Sequence, residues 1–276
     1  MERMAKVLDV STSGYYAWLS RPESRRKRER RYLDVLVKAA FEASKRRYGS
    51  LKISRQLETQ GHPYSRSRVA DSMRRQGLRS KVRRKFVVTT DTKHDLKASP
   101  NLLNRDFDVD RPNNVWTSDI TYLRSRAGWL FLVVFLDLFS RRVVGWCVST
   151  SLAHKTVLKA LSRAVWQRSP QPGLMIHSDR GIQYCCEGFR EAIDKHQFAQ
   201  NMSRKGNCWD NAVTESFFRS LNTEWLYHVD LKDLKHAEHE LFEYIESFYN
   251  NQRLHASLDY VSPAHFETMR QHQKVA

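Results

Sequence analysis

The chain has 276 residues, of which 41% are hydrophobic, and its formal net charge at pH 7 is +17. This length suits one large domain or two smaller ones, and this apolar fraction excludes a wholly disordered chain. The sequence contains no run of about 20 apolar residues that would span a membrane, and no apolar secretory signal at its start. The four cysteines lack C-x-x-C spacing, so we expect a cytoplasmic protein with reduced thiols.

The positive charge is concentrated in the first part of the chain. Residues 1–100 contain 26 Lys and Arg against 10 Asp and Glu, whereas residues 101–276 contain 21 and 20. A basic part followed by a neutral part indicates a polyanion-binding module joined to a second domain. A solvated basic surface is the alternative interpretation, but the size of the excess favours binding.

Short helices and a basic segment are predicted over residues 1–31. The segments AKVLDV and YYAWLS have helical character, and Ser11 or Ser13 is suited to cap the second of them. The basic segment RPESRRKRERR that follows either begins the next helix or forms a linker. From residue 32 onward, apolar residues recur at helical spacing, which predicts a helical domain over residues 32–85.

The clearest small motif lies within residues 48–78. Two short helical segments flank a break at Gly61-His62-Pro63. Ser65 is suited to cap the second helix and Gly77 to end it, which is typical of a helix-turn-helix. An ordinary helical hairpin is the alternative. The candidate DNA contacts on the second helix are Arg66, Arg68, Arg74 and Arg75.

A polar linker is predicted over residues 86–106, and an α/β domain over residues 107–270. The segments VWTSDITYL, WLFLVVFLDLF and RVVGWCVS are rich in β-branched and aromatic residues, which favour strands. Their short joins predict adjacent antiparallel pairing. Helical and strand patterns then alternate, so we expect a mixed sheet flanked by helices.

Three acidic residues lie at positions where the local sequence pattern gives no reason for a carboxylate. Asp119 lies inside a predicted strand, Asp179 ends another, and Glu215 lies in a predicted helix. An Asp in a strand interior is disfavoured, and a buried carboxylate requires a partner or a metal. Glu215 is predicted to point away from the apolar stripe of its helix.

Such a set of acids suits chemistry on phosphodiesters. Two divalent cations about 3.5–4 Å apart activate an attacking oxygen and stabilise a leaving one, and Mg²⁺ prefers oxygen ligands. Any single acid is explained as well by a cap, a turn or a salt bridge. Three acids next to a basic module indicate a metal-dependent nucleic-acid enzyme. Asp137 directly precedes the short connection between two predicted strands, so we assign it a structural role rather than a catalytic one.

The segments that carry the three acids are WTSDITY, HSDRGIQY and MSRKGNCWDNAVTESFFRSL. They closely resemble the catalytic signatures of bacterial transposases of the insertion-sequence-three family, the OrfB-type protein. Retroviral integrases are similar more distantly, and the 35 residues between Asp179 and Glu215 are typical of that superfamily. The segments YIESFYNNQRLHASLDYVSPAHFE and YGSLKISRQLETQGHPYSRSRVADSMRRQGLRS resemble the family's C-terminal segment and helix-turn-helix.

This resemblance implies a fold and an activity. The fold is a ribonuclease-H-like mixed five-stranded sheet with flanking helices, preceded by an all-α helix-turn-helix region. Asp119, Asp179 and Glu215 are then the catalytic residues and the ligands of two Mg²⁺ ions, for which Mn²⁺ is a substitute. The implied activity is DNA strand cleavage followed by strand transfer, which moves the element's own DNA within the bacterial nucleoid.

The resemblance also implies partners. The substrate is double-stranded DNA, both the element's terminal repeats and the target. Joining two ends implies a homo-oligomer on DNA. In this family a first-frame, OrfA-type protein supplies another helix-turn-helix and a leucine zipper through frameshifting. No zipper is visible here, so we expect the chain to multimerise weakly on its own.

One position departs from the family pattern. Members often carry a Lys seven residues after the catalytic Glu, and here that position is Asn222. Our hypothesis is that Arg219, on the same helical side as Glu215, supplies the phosphate contact. Arg180 and Asn222 are further candidate DNA contacts. The candidates for orienting the site are His177, Asn207 and Asn211.

Two other functions remain open at this point. One is a nuclease of similar fold that cuts DNA without joining it. The other is a catalytically silent DNA-binding regulator. Such a regulator is expected to lack at least one of the three acids, and all three are present here.

Overall fold

A computed structural model describes residues 2–81, 109–203 and 212–273 of the chain. The chain forms two compact units, one ending at Lys81 and the other beginning at Val82. In the described parts of both units, no helix combines the length and the apolar character needed to cross a membrane.

The N-terminal unit is all-helical. Its helices are α1 (Glu2–Val7), α2 (Thr12–Ser20), α3 (Arg25–Ala43), α4 (Ser50–Thr59) and α5 (Arg66–Arg75). Ser11 caps α2 by accepting a hydrogen bond from the amide of Gly14, at 3.2 Å. Ser24 caps α3 in the same way. The basic segment before residue 32 therefore forms the first turns of α3 rather than a separate linker.

The helices α3, α4 and α5 share one apolar core, because each turns a stripe of apolar residues inward. The residues at its centre are Leu33, Val37, Ile53, Leu57 and Val69. The predicted break between α4 and α5 is present. Gly61 and Gly77 both adopt positive φ angles, +81° and +65°, which glycine tolerates without steric cost. Ser65 caps α5, as the sequence predicts.

The C-terminal unit is built on one five-stranded sheet. Its strands are β1 (Val115–Ser125), β2 (Gly128–Asp137), β3 (Val143–Ser149), β4 (Met175–Ser178) and β5 (Ala199–Met202). They lie in the order β3-β2-β1-β4-β5. The first three pair antiparallel, as expected from their short joins, whereas β4 pairs parallel with both β1 and β5.

The helices of this unit are α6 (His154–Arg168), α7 (Ile182–Cys185), α8 (Glu187–Lys195), α9 (Ala212–Glu224), α10 (Leu234–Phe242) and α11 (Pro263–Gln273). Both faces of the sheet are covered. Trp116 of β1 packs into a core with α6, α7 and α8, whereas its neighbour Thr117 contacts α9. Successive strand residues face opposite sides, which explains why β2 is apolar almost throughout.

The helical spacing of apolar residues over 233–250 predicts one final amphipathic helix, and the structure differs from this prediction in detail. The helix α10 continues into a wider π-helical segment, Glu243–Asn250. The helix α11 was not predicted. Its buried Glu267 accepts hydrogen bonds from Arg168 at 2.7 and 2.9 Å, from Arg142 at 2.9 Å and from Ser140 at 2.7 Å. These bonds attach α11 to α6 and to the turn between β2 and β3.

Candidate active site

Asp119 and Asp179 each directly follow a residue that pairs across the parallel strands β1 and β4. The register between β1 and β4 pairs Ser118 with Ser178, and each Asp directly follows its serine. The carboxylate of Asp179 accepts a hydrogen bond from the amide of Gly181 at 2.9 Å. It therefore fixes the turn that leads from β4 into α7. Asp119 accepts a hydrogen bond from the amide of Ile120 at 2.7 Å.

Glu215 lies in the first turn of α9, which packs against β1. The side chain of Thr214, the preceding residue, is hydrogen-bonded to Thr117 with 2.7 Å between the hydroxyl oxygens. The predicted apolar stripe of α9 is buried, with Phe217 and Leu221 facing the interior. Glu215 itself is exposed, so its carboxylate lies at the surface beside the strand that carries Asp119.

The charges of Asp179 and Glu215 act on the carboxylate of Asp119. Burial raises the pKa of Asp119 well above its ordinary value, and repulsion from Asp179 and Glu215 raises it further. The amide of Ile120 opposes this rise. The pKa of the buried Tyr184 is also raised, first by burial and then by the charges of Asp119 and Asp179. Although Glu215 is exposed as a residue, partial shielding of its carboxylate from solvent raises its pKa, against the lowering effect of Arg219.

The donor chemistry at this point fits hard divalent cations. Three carboxylates supply the oxygen ligands that Mg²⁺ prefers, and their mutual repulsion is relieved by positive charge between them. In residues 2–81, 109–203 and 212–273, no three Asp, Glu, His or Cys side chains are arranged closely enough to hold one ion together. The acids are thus electrostatic neighbours rather than a closed ligand set.

The other predicted residues of this region have varied environments. His177 is buried, with its Nε2 3.1 Å from the hydroxyl of Ser203. Arg180 donates from Nε to the carbonyl oxygen of Ser203 at 2.9 Å. Both side chains therefore hold β4 and its turn against the end of β5. Asn207 and Asn211 lie outside the described residues.

Asn222, the position that departs from the family pattern, lies in α9. Asn222 is partly buried, and its Oδ1 finds no hydrogen-bond partner in the described part of the chain. Arg219 is exposed on α9, one turn after Glu215, and its charge acts on that carboxylate. Arg219 is therefore an exposed cation whose charge reaches the carboxylate of Glu215.

The four predicted arginines of the N-terminal unit are all exposed on α5. Arg74 forms an ion pair with Asp71 at 2.9 Å, and Arg75 pairs with Asp34 of α3. Arg68 lies over the ring of Tyr64 at 4.9 Å. Arg66 forms no ion pair with any residue that the structure describes.

Asp137 has the structural role assigned to it. Its carboxylate is buried and accepts hydrogen bonds from the amides of Asn113 at 2.8 Å and Phe139 at 3.0 Å. Its ion-pair partner is Arg168, at 3.5 Å, rather than the neighbouring arginines of its own turn. Burial raises its pKa to about 6, against the lowering effects of the two amides and Arg168.

The sequence interpretation missed the hydroxyl groups around the acids. Tyr184 lies within electrostatic reach of Asp119 and Asp179, and its hydroxyl is 2.8 Å from that of Ser118. Thr117 and Thr214 form a similar pair. All four residues fall inside the motifs that contain Asp119, Asp179 and Glu215. Their position in these motifs was the sequence signal that could have identified them.

The sequence matches known protein families in both units. Residues 27–86 match the HTH-like domain family. Residues 109–208 match one integrase core domain family, and residues 215–270 match a second family of the same description. Together with the mixed five-stranded sheet, these matches confirm the predicted ribonuclease-H-like fold class and the helix-turn-helix region.

Two solved structures illustrate the likeness to integrases. The intasome of simian T-cell lymphotropic virus, in complex with a PP2A regulatory subunit, contains a chain that is 16% identical with a TM-score of 0.49. The match covers 63% of this chain and 60% of that one. The integrase catalytic core domain of HTLV-2 in complex with magnesium is 16% identical with a TM-score of 0.44, over 57% and 97% of the two chains.

Curated relatives match over nearly the whole length. The protein named transposase InsF for insertion sequence IS3A, of Escherichia coli (strain K12), is 41% identical over 97% of this chain and 93% of its own. An insertion element IS600 protein of 31 kDa from Shigella sonnei, described as uncharacterized, is 38% identical over 99% and 100%. The chain therefore belongs to the insertion-sequence-three family of DNA transposases, which carry an integrase core domain and a helix-turn-helix.

Proposed function

We propose that this chain binds the terminal repeats of its element and catalyses metal-dependent cleavage and transfer of DNA strands, with Asp119, Asp179 and Glu215 as the catalytic acids. The observation that supports the proposal is the β1–β4 register, in which Ser118 pairs with Ser178 and each serine directly precedes one of the two Asp residues. The hydrogen bond between Thr117 of β1 and Thr214, the residue before Glu215, supports the inclusion of Glu215. Family membership supports a polynucleotidyl transferase activity.

The three carboxylates would hold two Mg²⁺ ions, or Mn²⁺ in their place. Bound there, the ions supply charge that activates an attacking oxygen and stabilises a leaving one. The carboxylates contribute negative charge held at fixed points by the Ile120 and Gly181 amides. Arg219 and Arg180, together with Asn222, would contact the phosphates that flank the scissile bond.

The two reactions have the same chemical form. In cleavage, a water oxygen bonds to phosphorus while the bond from phosphorus to the 3′-oxygen breaks, and the 3′-oxygen leaves as a hydroxyl. In strand transfer, that 3′-hydroxyl attacks a second phosphodiester and another 3′-oxygen leaves. One site serves both because each is an in-line displacement at phosphorus. Neither step requires a covalent bond between protein and DNA.

The N-terminal unit would recognise the terminal repeats through α5. Its exposed arginines, Arg66, Arg68, Arg74 and Arg75, share the second helix of the helix-turn-helix, which in such motifs enters the major groove. Two ends must meet for joining, so the working form would be a homo-oligomer on DNA. A first-frame, OrfA-type protein or fusion would strengthen that assembly.

The test is a labelled terminal-repeat duplex incubated with Mg²⁺ or Mn²⁺ and the full chain. We expect the wild type to nick the duplex and Asp179→Asn to lose nicking by at least about 10³-fold, because a metal ligand is removed. Asp194→Asn, which changes an exposed acid of α8, is the matched control. Equal nicking by wild type and Asp179→Asn would refute the assignment of the acids.

A second assay separates a transposase from a nuclease of similar fold. A pre-cut terminal-repeat end is supplied with a target plasmid, and only a transposase yields joined product. In the same assay, Arg219→Ala should reduce joining and DNA binding if Arg219 meets a phosphate. Unchanged binding and joining would contradict that role.

A further inference from the structure

Two buried pairs of hydroxyl groups connect β1 to the segments around it, directly before Asp119. The hydroxyl oxygens of Thr117 and Thr214 are 2.7 Å apart, and those of Ser118 and Tyr184 are 2.8 Å apart. All four residues are at most 2% exposed. Successive strand residues face opposite sides, so one pair lies on each face of the sheet.

Each pair reaches a segment that follows or carries another of the acids. Thr214 is the residue before Glu215 in α9, and Tyr184 lies in α7, five residues after Asp179. The strand of Asp119 is therefore bonded to the helix of Glu215 on one face. On the other face it is bonded to the short helix that the Asp179 turn leads into.

We propose that Thr117–Thr214 and Ser118–Tyr184 are positioning pairs that set the spacing of Asp119, Asp179 and Glu215 and thereby the affinity of the site for divalent cations. This inference rests on the proposed function of the three acids. The four hydroxyl groups act through the backbone that carries the acids, and they are not ligands themselves.

The physical need for such pairs follows from the charges. Like charges repel, so three carboxylates without a cation between them tend to separate, and some other interaction must hold their segments together. A hydroxyl both donates and accepts a hydrogen bond and remains neutral. It therefore ties the segments together without adding a charge that would compete with the cation. The branched side chains of the two threonines also have few rotamers to choose from.

The decisive measurement is the affinity of the full-length chain for Mn²⁺, determined by titration calorimetry in the absence of DNA. We expect Thr117→Val and Thr214→Val each to weaken Mn²⁺ affinity by about tenfold, as does the loss of other supporting hydrogen bonds at metal sites. The double variant should bind no more weakly than either single variant, because both remove the same hydrogen bond. Thr117→Ser and Thr214→Ser keep the hydroxyl and should bind nearly as wild type.

Controls separate positioning from general stability. Thr156→Val removes a buried hydroxyl in α6, which donates to the carbonyl oxygen of Ser151 at 3.0 Å and so joins no two acid-bearing segments. It should lower Tm and leave Mn²⁺ affinity unchanged. Tyr184→Phe removes a single oxygen atom and tests the Ser118–Tyr184 pair in the same way, so the proposal remains testable if a valine variant does not fold, as judged by circular dichroism.

The possible outcomes are distinct. Folded valine and phenylalanine variants that bind Mn²⁺ with wild-type affinity would overturn the positioning role while leaving the acids in place as ligands. Equal weakening by Thr156→Val would also overturn it, because the effect would then reflect stability. A wild-type chain that bound no Mn²⁺ would refute the proposed function itself, and this inference with it.

Discussion

Asp119 and Asp179 are separated by 59 residues in the sequence, yet each directly follows one member of the Ser118–Ser178 pair that joins the parallel strands β1 and β4. Their carboxylates repel each other, and burial of Asp119 increases the cost of its charge. The site thus opposes folding in the absence of a cation. This is a common feature of functional sites, where stability is given up for chemistry.

Asp119→Asn should make the metal-free protein more stable at neutral pH. The folded state raises the pKa of Asp119, so it binds that proton more tightly than the unfolded chain does. The wild type therefore loses stability as pH rises from the ordinary carboxyl value through the raised one. The variant lacks this loss, so its advantage in Tm should be present near pH 8 and vanish near pH 4. A gain of 1 kcal/mol corresponds to about 2–4 °C.

Thermal melts in a chelator at several pH values measure this difference. Asp194→Asn removes the same charge from an exposed position on α8 and should show no comparable gain. A Tm for Asp119→Asn below that of wild type at every pH would contradict the prediction.

Removal of one partner from the buried ion pair between Glu224 and Arg253 should be strongly destabilising. Glu224 ends α9, and Arg253 contacts it at 2.9 Å and also donates to Ser220 of the same helix. Arg253→Met would leave the Glu224 carboxylate buried without its partner, at a cost of about 3–5 kcal/mol. Adding Glu224→Gln removes the stranded charge and should recover part of that loss.

Urea denaturation of the two single variants and the double variant measures this coupling. The double variant should be less destabilised than the sum of the single ones. Additive losses would mean that the two side chains do not interact in the folded protein.

Gly145 should not tolerate any larger residue. A Cβ at this position in β3 would lie 2.6 Å from the carbonyl oxygen of Ala160 and 2.6 Å from the Cβ of Ala164. Both atoms belong to α6, so the whole helix would have to move. We expect Gly145→Ala to lower the free energy of unfolding by about 1–3 kcal/mol.

The control for this variant is Gly188→Ala in α8, where the nearest atom to an added Cβ is 3.7 Å away. Alanine is the better helix former, so this variant should gain up to about 1 kcal/mol. Similar denaturation midpoints for the two variants would refute the close approach of β3 and α6.

Arg66→Ala should weaken DNA binding at all sequences and flatten its dependence on salt. Arg66 is exposed at the start of α5 and has no ion-pair partner in the described residues. Loss of one phosphate contact lowers the slope of log affinity against log salt by about 1. Lys195→Ala, an exposed cation of α8 in the other unit, is the control, and an equal change in both slopes would exclude a specific contact.

The sequence alone determined the types of most elements, because their signals are local. Apolar and β-branched residues gave β1, β2 and β3, and the short joins gave their antiparallel pairing. Ser65 and Gly77 marked the limits of α5 through capping and positive φ. An Asp inside a strand is costly, which made Asp119 conspicuous before its neighbours were known.

The tertiary structure alone decided which distant elements meet. Periodicity reports the face that a residue occupies but not the strand or helix that will cover it. The parallel pairing of β4 with β1, the Thr117–Thr214 bond and the anchoring of α11 through Glu267 therefore had no local signal. These contacts join residues about 60 to 130 positions apart. They form only because burial of the shared core brings their segments together, and that cooperative free energy cannot be read from any single stretch of sequence.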